Sequence, residues 1–206
     1  MIKRLLGQLT VVTVGALCLV GLGGVSTLLA ARHGAVSAVP AADSAALAAA
    51  NAALADTRHE LERAHQILEF SGRYAIPADL SAEIYDHAVA EGIHASVGFQ
   101  LVKIESDFRN GAESDAVAIG LTQLRLPTAR AFEPMVAPSD LMNPDLNLRL
   151  GFRYLHALLN RFDQNLPLAL EAYNKGPTLV AAQQDLGNDV RGKYSHAVLS
   201  GLHQGT

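Results

Sequence analysis

The chain has one cysteine, no tryptophan, three methionines and few charges, and each scarcity closes off a class of protein. Cys18 alone cannot close an intramolecular disulfide or build a multi-cysteine zinc module. With 16 Lys+Arg against 20 Asp+Glu there is no basic surplus to grip a phosphate backbone, so no nucleic acid partner is expected. Charged residues make up only 17% of the 206, but half the chain is apolar, too much for a disordered protein. The eight histidines show neither HxxxH nor HExxH spacing, and there is no oxygen-rich calcium loop, GxSxG elbow or P-loop. His94, His156 and His196 read as surface or capping residues, so no metal ligand is expected.

What charge there is lies unevenly. Lys3, Arg4 and Arg32 are the only charged residues among the first 32, and the run Leu5–Ala31 is uncharged throughout. A bilayer-crossing helix needs about 20 apolar residues. Residues 1–32 therefore predict a membrane anchor, with Lys3 and Arg4 holding the amino end in the cytoplasm and the bulk outside. The expected location is the bacterial inner membrane, single-pass, with the main domain on the periplasmic, cell-wall side. The small residues Ala35-Val36-Ser37-Ala38 leave a cleaved signal and secretion as the alternative. Cys18 follows Leu17 and precedes Leu19 and Val20, a poor context for lipidation.

Residues 33–76 read as an Ala-rich linker and helical stalk. Pro40 ends any continuation of the anchor helix, and a helical pattern starts near Asp43. Leu47, Leu54, Leu61 and Leu68 recur every seven residues, which predicts either a short coiled coil or a stripe resting on the following domain. The first reading makes residues 43–70 a homodimer interface.

Residues 77–203 read as short helices with brief breaks, an all-α globule. Leu80, Ile84, Tyr85 and Ala88 share one helical face that stops at Gly92. Ser96 suits the start of a helix carrying Val97, Leu101, Val102, Ile104 and Phe108. Pro127 suits the opening turn of a helix through Phe132. Asn147–Arg161 and Pro167–Tyr173 supply further helical periods, closed by Gly176-Pro177.

One carboxylate stands out. Glu105 follows Leu101, Val102 and Ile104 with Phe108 beyond, and apolar surroundings raise a carboxyl pKa toward the range of a general acid. By itself such a position is more often that of a structural hydrogen-bonding residue. Its company decides: Glu105-Ser106, then Phe108, Ser114, Ala118, Gly120-Leu121, Gln123-Leu124 and Thr128-Ala129. Asn147-Leu148-Arg149-Leu150-Gly151 and Tyr154-Leu155 come next, then Ala172-Tyr173-Asn174-Lys175-Gly176-Pro177. This ordered set resembles the soluble lytic transglycosylase (SLT) domain, a lysozyme-like fold related to goose-type lysozyme, over roughly residues 77–203.

The resemblance implies a peptidoglycan lytic transglycosylase acting on glycan strands with no metal or organic cofactor. It puts Glu105 at the catalytic acid/base and Ser114, Gln123, Tyr173 and Asn174 at glycan-binding positions of the cleft. It further implies that the lone Glu protonates the oxygen between N-acetylmuramic acid and N-acetylglucosamine. The same group then takes the proton of the 6-hydroxyl, closing a 1,6-anhydro ring. Asp107 is expected on another face of the helix, and Glu113 and Asp115 in a solvated loop, so no second carboxylate is assigned. The sequence departs from the pattern at Arg109-Asn110, Val117, Thr122, Arg125 and Pro127, changes expected to alter the cleft lining. A hydrolytic lysozyme, or a wall-binding protein of this fold without turnover, stand as the rival expectations.

Overall fold

The computed structural model describes residues 41–112 and 118–202, with side chains from residue 44 onward. The expected anchor Leu5–Ala31 lies outside them, as does the linker before Ala41. Among the described residues no helix is long and apolar enough to cross a membrane.

Among the described residues eight α-helices, one small hairpin and one short 3-10 helix follow in order: α1 (Ala41–Tyr74), α2 (Ala78–Ala90), α3 (Ala95–Ser106), β1 (Ala118–Ile119), β2 (Leu124–Arg125), α4 (Leu126–Arg130), the 3-10 helix (Pro138–Met142), α5 (Pro144–Arg161), α6 (Leu166–Lys175), α7 (Pro177–Asp185) and α8 (Lys193–Leu202). The all-α expectation holds. Departures are local. The helix expected from Ser96 is capped two residues earlier, at His94. It ends at Ser106, because Asp107 and Phe108 both take left-handed φ, of 50° and 60°. Phe108 therefore leaves the helix, yet its ring still packs 5.1 Å from that of Tyr74. Gly176-Pro177 closes α6 and also opens α7, with Pro177 in the first turn where its missing N–H costs nothing. The two-residue strands are too short to leave an alternating pattern in the sequence.

α3 runs through the middle of the globule, packed on α2 and α8, while α5 lies against α2 and α6. The approach is close at Gly98, where an added Cβ would stand 2.8 Å from the Cβ of Ala88. Phe99, Leu101, Val102, Leu148, Phe152, Leu155 and Leu170 are wholly buried in this main core. A smaller core of Ile119, Leu124, Ala129, Val136, Leu141 and Leu150 supports the hairpin. Tyr154 touches both cores, and so marks the seam between them.

α1 contributes only its last turns. Ile67 and Phe70 are buried in the globule, Phe70 stacks on Phe99 at 4.1 Å, and Arg63 pairs with Asp86 of α2. The stalk and the globule thus share a core. The four heptad leucines do not: Leu47, Leu54, Leu61 and Leu68 are 48–69% exposed. That overturns the idea that their stripe rests on the domain.

Candidate active site

The Glu105-Ser106 pair ends α3 against the hairpin. Ser106 is buried and its hydroxyl donates to the carbonyl of Leu121 at 2.8 Å, tying the helix end to the β1–β2 turn. Asn147, fully buried at the start of α5, fixes the same turn with its whole side chain. Its Oδ1 accepts from the N–H and the hydroxyl of Thr122, both at 2.8 Å, and its Nδ2 donates to the carbonyls of Ile119 and Leu141. A buried amide with every bond made is rigid, and costly to disturb. Gly120, at φ 77°, permits the contact, because a side chain there would collide with the Asn147 amide. Thr122 is therefore core and not cleft lining, which corrects the expectation for that departure.

The turn holds two of the expected site residues. Tyr173 of α6 donates its hydroxyl to the carbonyl of Thr122 at 2.9 Å, and its ring lies 5.1 Å from that of Tyr154. Gln123, at φ 47°, turns its Nε2 inward to the carbonyls of Ala112 and Gly120, at 2.9 and 3.0 Å. Its amide nitrogen is thus spent on the loop, leaving the oxygen for a ligand. Burial of Tyr173 and the nearby Glu105 hold its hydroxyl far above the ordinary tyrosine range, so it remains a donor.

A cavity of about 450 Å³ opens along the seam of the two cores. Glu105 and Gln123 line it together with Tyr173 and Asn174 from α6, bringing four of the five expected site residues to one cleft. Ser114, the fifth, lies outside the described residues, as do Glu113, Asp115 and Val117. Arg125 lines the cleft as expected for its departure, and is exposed. Asp107 is exposed past the helix end and does not line the cleft, as its place in the sequence suggested. Among the described lining residues Glu105 is the one acid.

Burial raises the Glu105 carboxyl to about 7, against a smaller downward pull from the hydrogen bond donated by Tyr194. A carboxyl poised near neutrality can give up a proton and take one back, the requirement for general acid and then general base work. Tyr194 went unnoticed in the sequence. It touches Glu105 across 89 residues of chain. The one available signal was the stripe Tyr194, Val198, Leu202, spaced four apart, which would have given α8 an inward face. Glu171 was missed as well. It is wholly buried beneath the start of α8, where it accepts from the N–H of Ser195 at 2.8 Å and pairs with Lys175 at 2.7 Å.

The sequence model of the transglycosylase SLT domain matches residues 84–194. Among solved structures, an inactive glutamate-to-glutamine mutant of the lytic transglycosylase Slt from Pseudomonas aeruginosa is 32% identical over 58% of this chain, with a TM-score of 0.51. The 70 kDa soluble lytic transglycosylase Slt70 from Escherichia coli is 22% identical over 64% of the chain, with a TM-score of 0.53. A complex of the 70 kDa enzyme with bulgecin A aligns similarly, at 21% identity and a TM-score of 0.54. The chain spans only 22–24% of the length of these proteins.

Proposed function

Because the chain belongs to the transglycosylase SLT domain family, we propose that it is a peptidoglycan lytic transglycosylase whose single acid/base is Glu105. The observation that carries this reading is a carboxyl raised to about 7, standing as the one acid among the described residues of the cleft. Glycosidases that work with two carboxylates place them about 5–10 Å apart on either side of the bond. With one carboxyl doing the acid/base work, a hydroxyl of the substrate itself can serve as the nucleophile.

Protonated Glu105 gives its proton to the oxygen between N-acetylmuramic acid and N-acetylglucosamine, and the C1–O bond breaks. The glucosamine chain leaves with a free 4-hydroxyl. The muramic acetamido group stabilises the cation left at C1. Glu105, now a carboxylate, takes the proton of the muramic 6-hydroxyl as that oxygen bonds to C1. The 1,6-anhydro ring closes, the carboxyl is restored and no water is consumed. Tyr194 steadies the carboxyl in both states. Gln123 Oε1, Asn174 and, from its sequence position, Ser114 hold the glycan. The inactive glutamate-to-glutamine mutant of the Pseudomonas protein supports the assignment by analogy.

Leu5–Ala31 would hold the domain at the outer face of the inner membrane, within reach of the wall. Fractionation with protease protection tests that part: a soluble product beginning near residue 39 would show a cleaved signal instead. For the chemistry, mass spectrometry of products from peptidoglycan distinguishes the outcomes. Anhydro ends, one water lighter than hydrolysed ends, are expected. Hydrated ends would mean a lysozyme, and no release would mean a wall-binding protein.

A further inference from the structure

We propose that α1 pairs in parallel and in register with α1 of a second copy of this chain, through Leu47, Leu54, Leu61 and Leu68. Every residue from Ala45 to Glu62 is exposed among the described residues, about five turns of helix. Most helical stability in proteins comes from packing an apolar face and not from propensity. The apolar face is there. The leucines are 63, 48, 69 and 64% exposed in chain order. They lie roughly 150° around the helix from Ile67, Phe70 and Tyr74, which dock on the globule, so both faces can be used at once.

The spacing identifies the occupant. A strict seven-residue repeat drifts by about 20° per heptad on a straight helix and stays aligned only when two helices supercoil about each other. A flat surface would not select it. Three residues after each of the first three leucines stand Ala50, Thr57 and Ala64, small side chains that let two backbones approach.

Charge selects the direction. With the leucines at the first core position, Glu60 lies on one flank of the seam and Asn51, Arg58 and His65 on the other. A parallel pair sets Glu60 of each helix against His65 of its mate, a donor for the carboxylate in either state of the ring. An antiparallel pair sets the Arg58 and His65 flanks against each other with no acid between. A parallel pair also sends both amino-terminal segments out at one end, as two chains anchored in one membrane require. That last point alone rests on the anchoring reading above, and none of it depends on Glu105 being catalytic.

The test uses the full chain in detergent. Light scattering corrected for the micelle should give a dimer, and Leu54→Asp with Leu61→Asp should give a monomer that still turns over peptidoglycan at the wild-type rate per domain. In a Cys18→Ser background, Leu54→Cys and Leu61→Cys should each cross-link to themselves on oxidation, since equivalent core positions bring Cα atoms within disulfide reach. Asp56→Cys, on the opposite side of the helix, should not. A monomeric wild type, a trimer, or a dimer that survives the double substitution would overturn the proposal. So would cross-linking confined to a mixture of Leu54→Cys with Leu61→Cys, which would mean antiparallel helices, or cross-linking at Asp56 as strong as at Leu54. Mass and cross-links are read without any activity, so failure here and failure of the enzyme reading are distinguishable.

Discussion

Two carboxylates, Glu105 partly and Glu171 wholly buried, sit on either side of the start of α8, held by successive residues, and they behave in opposite ways. Tyr194 donates its hydroxyl to Glu105, and Ser195 donates its backbone N–H to Glu171 at 2.8 Å. Burial pushes both upward. At Glu105 one neutral donor answers it, and the carboxyl rests at about 7. At Glu171 burial is outweighed by the Lys175 ammonium and by the bonds from Ser195, and the group falls below its ordinary value. Gly192 makes room for this second site, since a Cβ there would lie 2.7 Å from both Glu171 oxygens. Burial alone therefore does not make a general acid. A carboxyl works as one when it is buried without a cation, and becomes a structural anchor when a cation accompanies it.

The widest separation between the two should come from Glu105→Gln. The amide keeps the size of the side chain but cannot transfer a proton. Losing a placed acid/base costs about 10²–10⁴ in rate, and one group is proposed here for both transfers, so release of muropeptides should fall by 10⁴ or so. Near wild-type release from Glu105→Gln, with loss from Asp107→Asn instead, would move the chemistry to the wrong side of the helix end and end the single-Glu mechanism.

The same substitution should stabilise the fold, with a sign that depends on pH. A carboxyl of about 7 in the folded chain and 4.5 unfolded binds its proton more tightly when folded. Stability is therefore full below about 4.5 and declines as pH rises through about 7. The penalty above that is on the order of 3 kcal/mol. Glu105→Gln removes it, so thermal melts at pH 8 should favour the mutant by several degrees, and melts at pH 4 should nearly coincide. Equal melting temperatures at both pH values would mean that Glu105 is not held protonated by its surroundings.

Lys175→Met tests the other carboxylate. Glu171 is wholly buried, and Lys175 is the cation paired with it. Without it the variant should lose about 1–3 kcal/mol near neutral pH. A folded value below the unfolded one contributes stability above the unfolded value and loses it as pH falls through the folded value. The gap between wild type and Lys175→Met should therefore close in acid, the reverse of the Glu105→Gln pattern. Denaturant melts across pH would show it. A gap that persists unchanged at low pH would make Lys175 a packing residue and not a counter-ion.

The sequence is uneven in how much of this it discloses. The main helices follow from apolar spacing, because a buried helical face repeats locally: Ile84 with Ala88, or Leu148 with Phe152 and Leu155. Glu105, Tyr173 and Asn174 were legible because they sit beside motifs whose order is preserved along the chain. The place of Gln123 in the cleft was legible, but its inward turn was not, since that depends on a left-handed φ at a non-glycine position. Thr122 looked like a cleft residue for the same reason: neighbours in a tight turn point to opposite sides. Tyr194 and Glu171 were hidden because each acts through a partner far along the chain, Tyr194 on Glu105 and Glu171 on Ser195. Pattern within a short window cannot report such pairs. The leucine heptad was plain to see, but which side of α1 the globule would take was decided by Ile67 and Phe70, two residues outside the repeat.

The smallest expected effect is the most informative about Tyr194. Tyr194→Phe keeps the ring that packs against the core and removes only the hydroxyl that meets Glu105. That hydroxyl is held far above the ordinary tyrosine range by burial and by the Glu105 charge, so it donates throughout the working pH range. Its bond favours the carboxylate, and losing it should lift Glu105 further above about 7. More of the protein would then carry the proton at neutral pH, so a lower rate could not be blamed on a missing proton. It would come from a carboxyl that wanders. Loss of one hydrogen bond to a charged group corresponds to roughly a tenfold drop in turnover. The alkaline limb of the pH–rate profile should shift upward at the same time, while folding stability changes by less than about 1 kcal/mol. A reduced rate with the limb unmoved would show that the hydroxyl supports packing near the cleft and has no part in setting the proton affinity of Glu105.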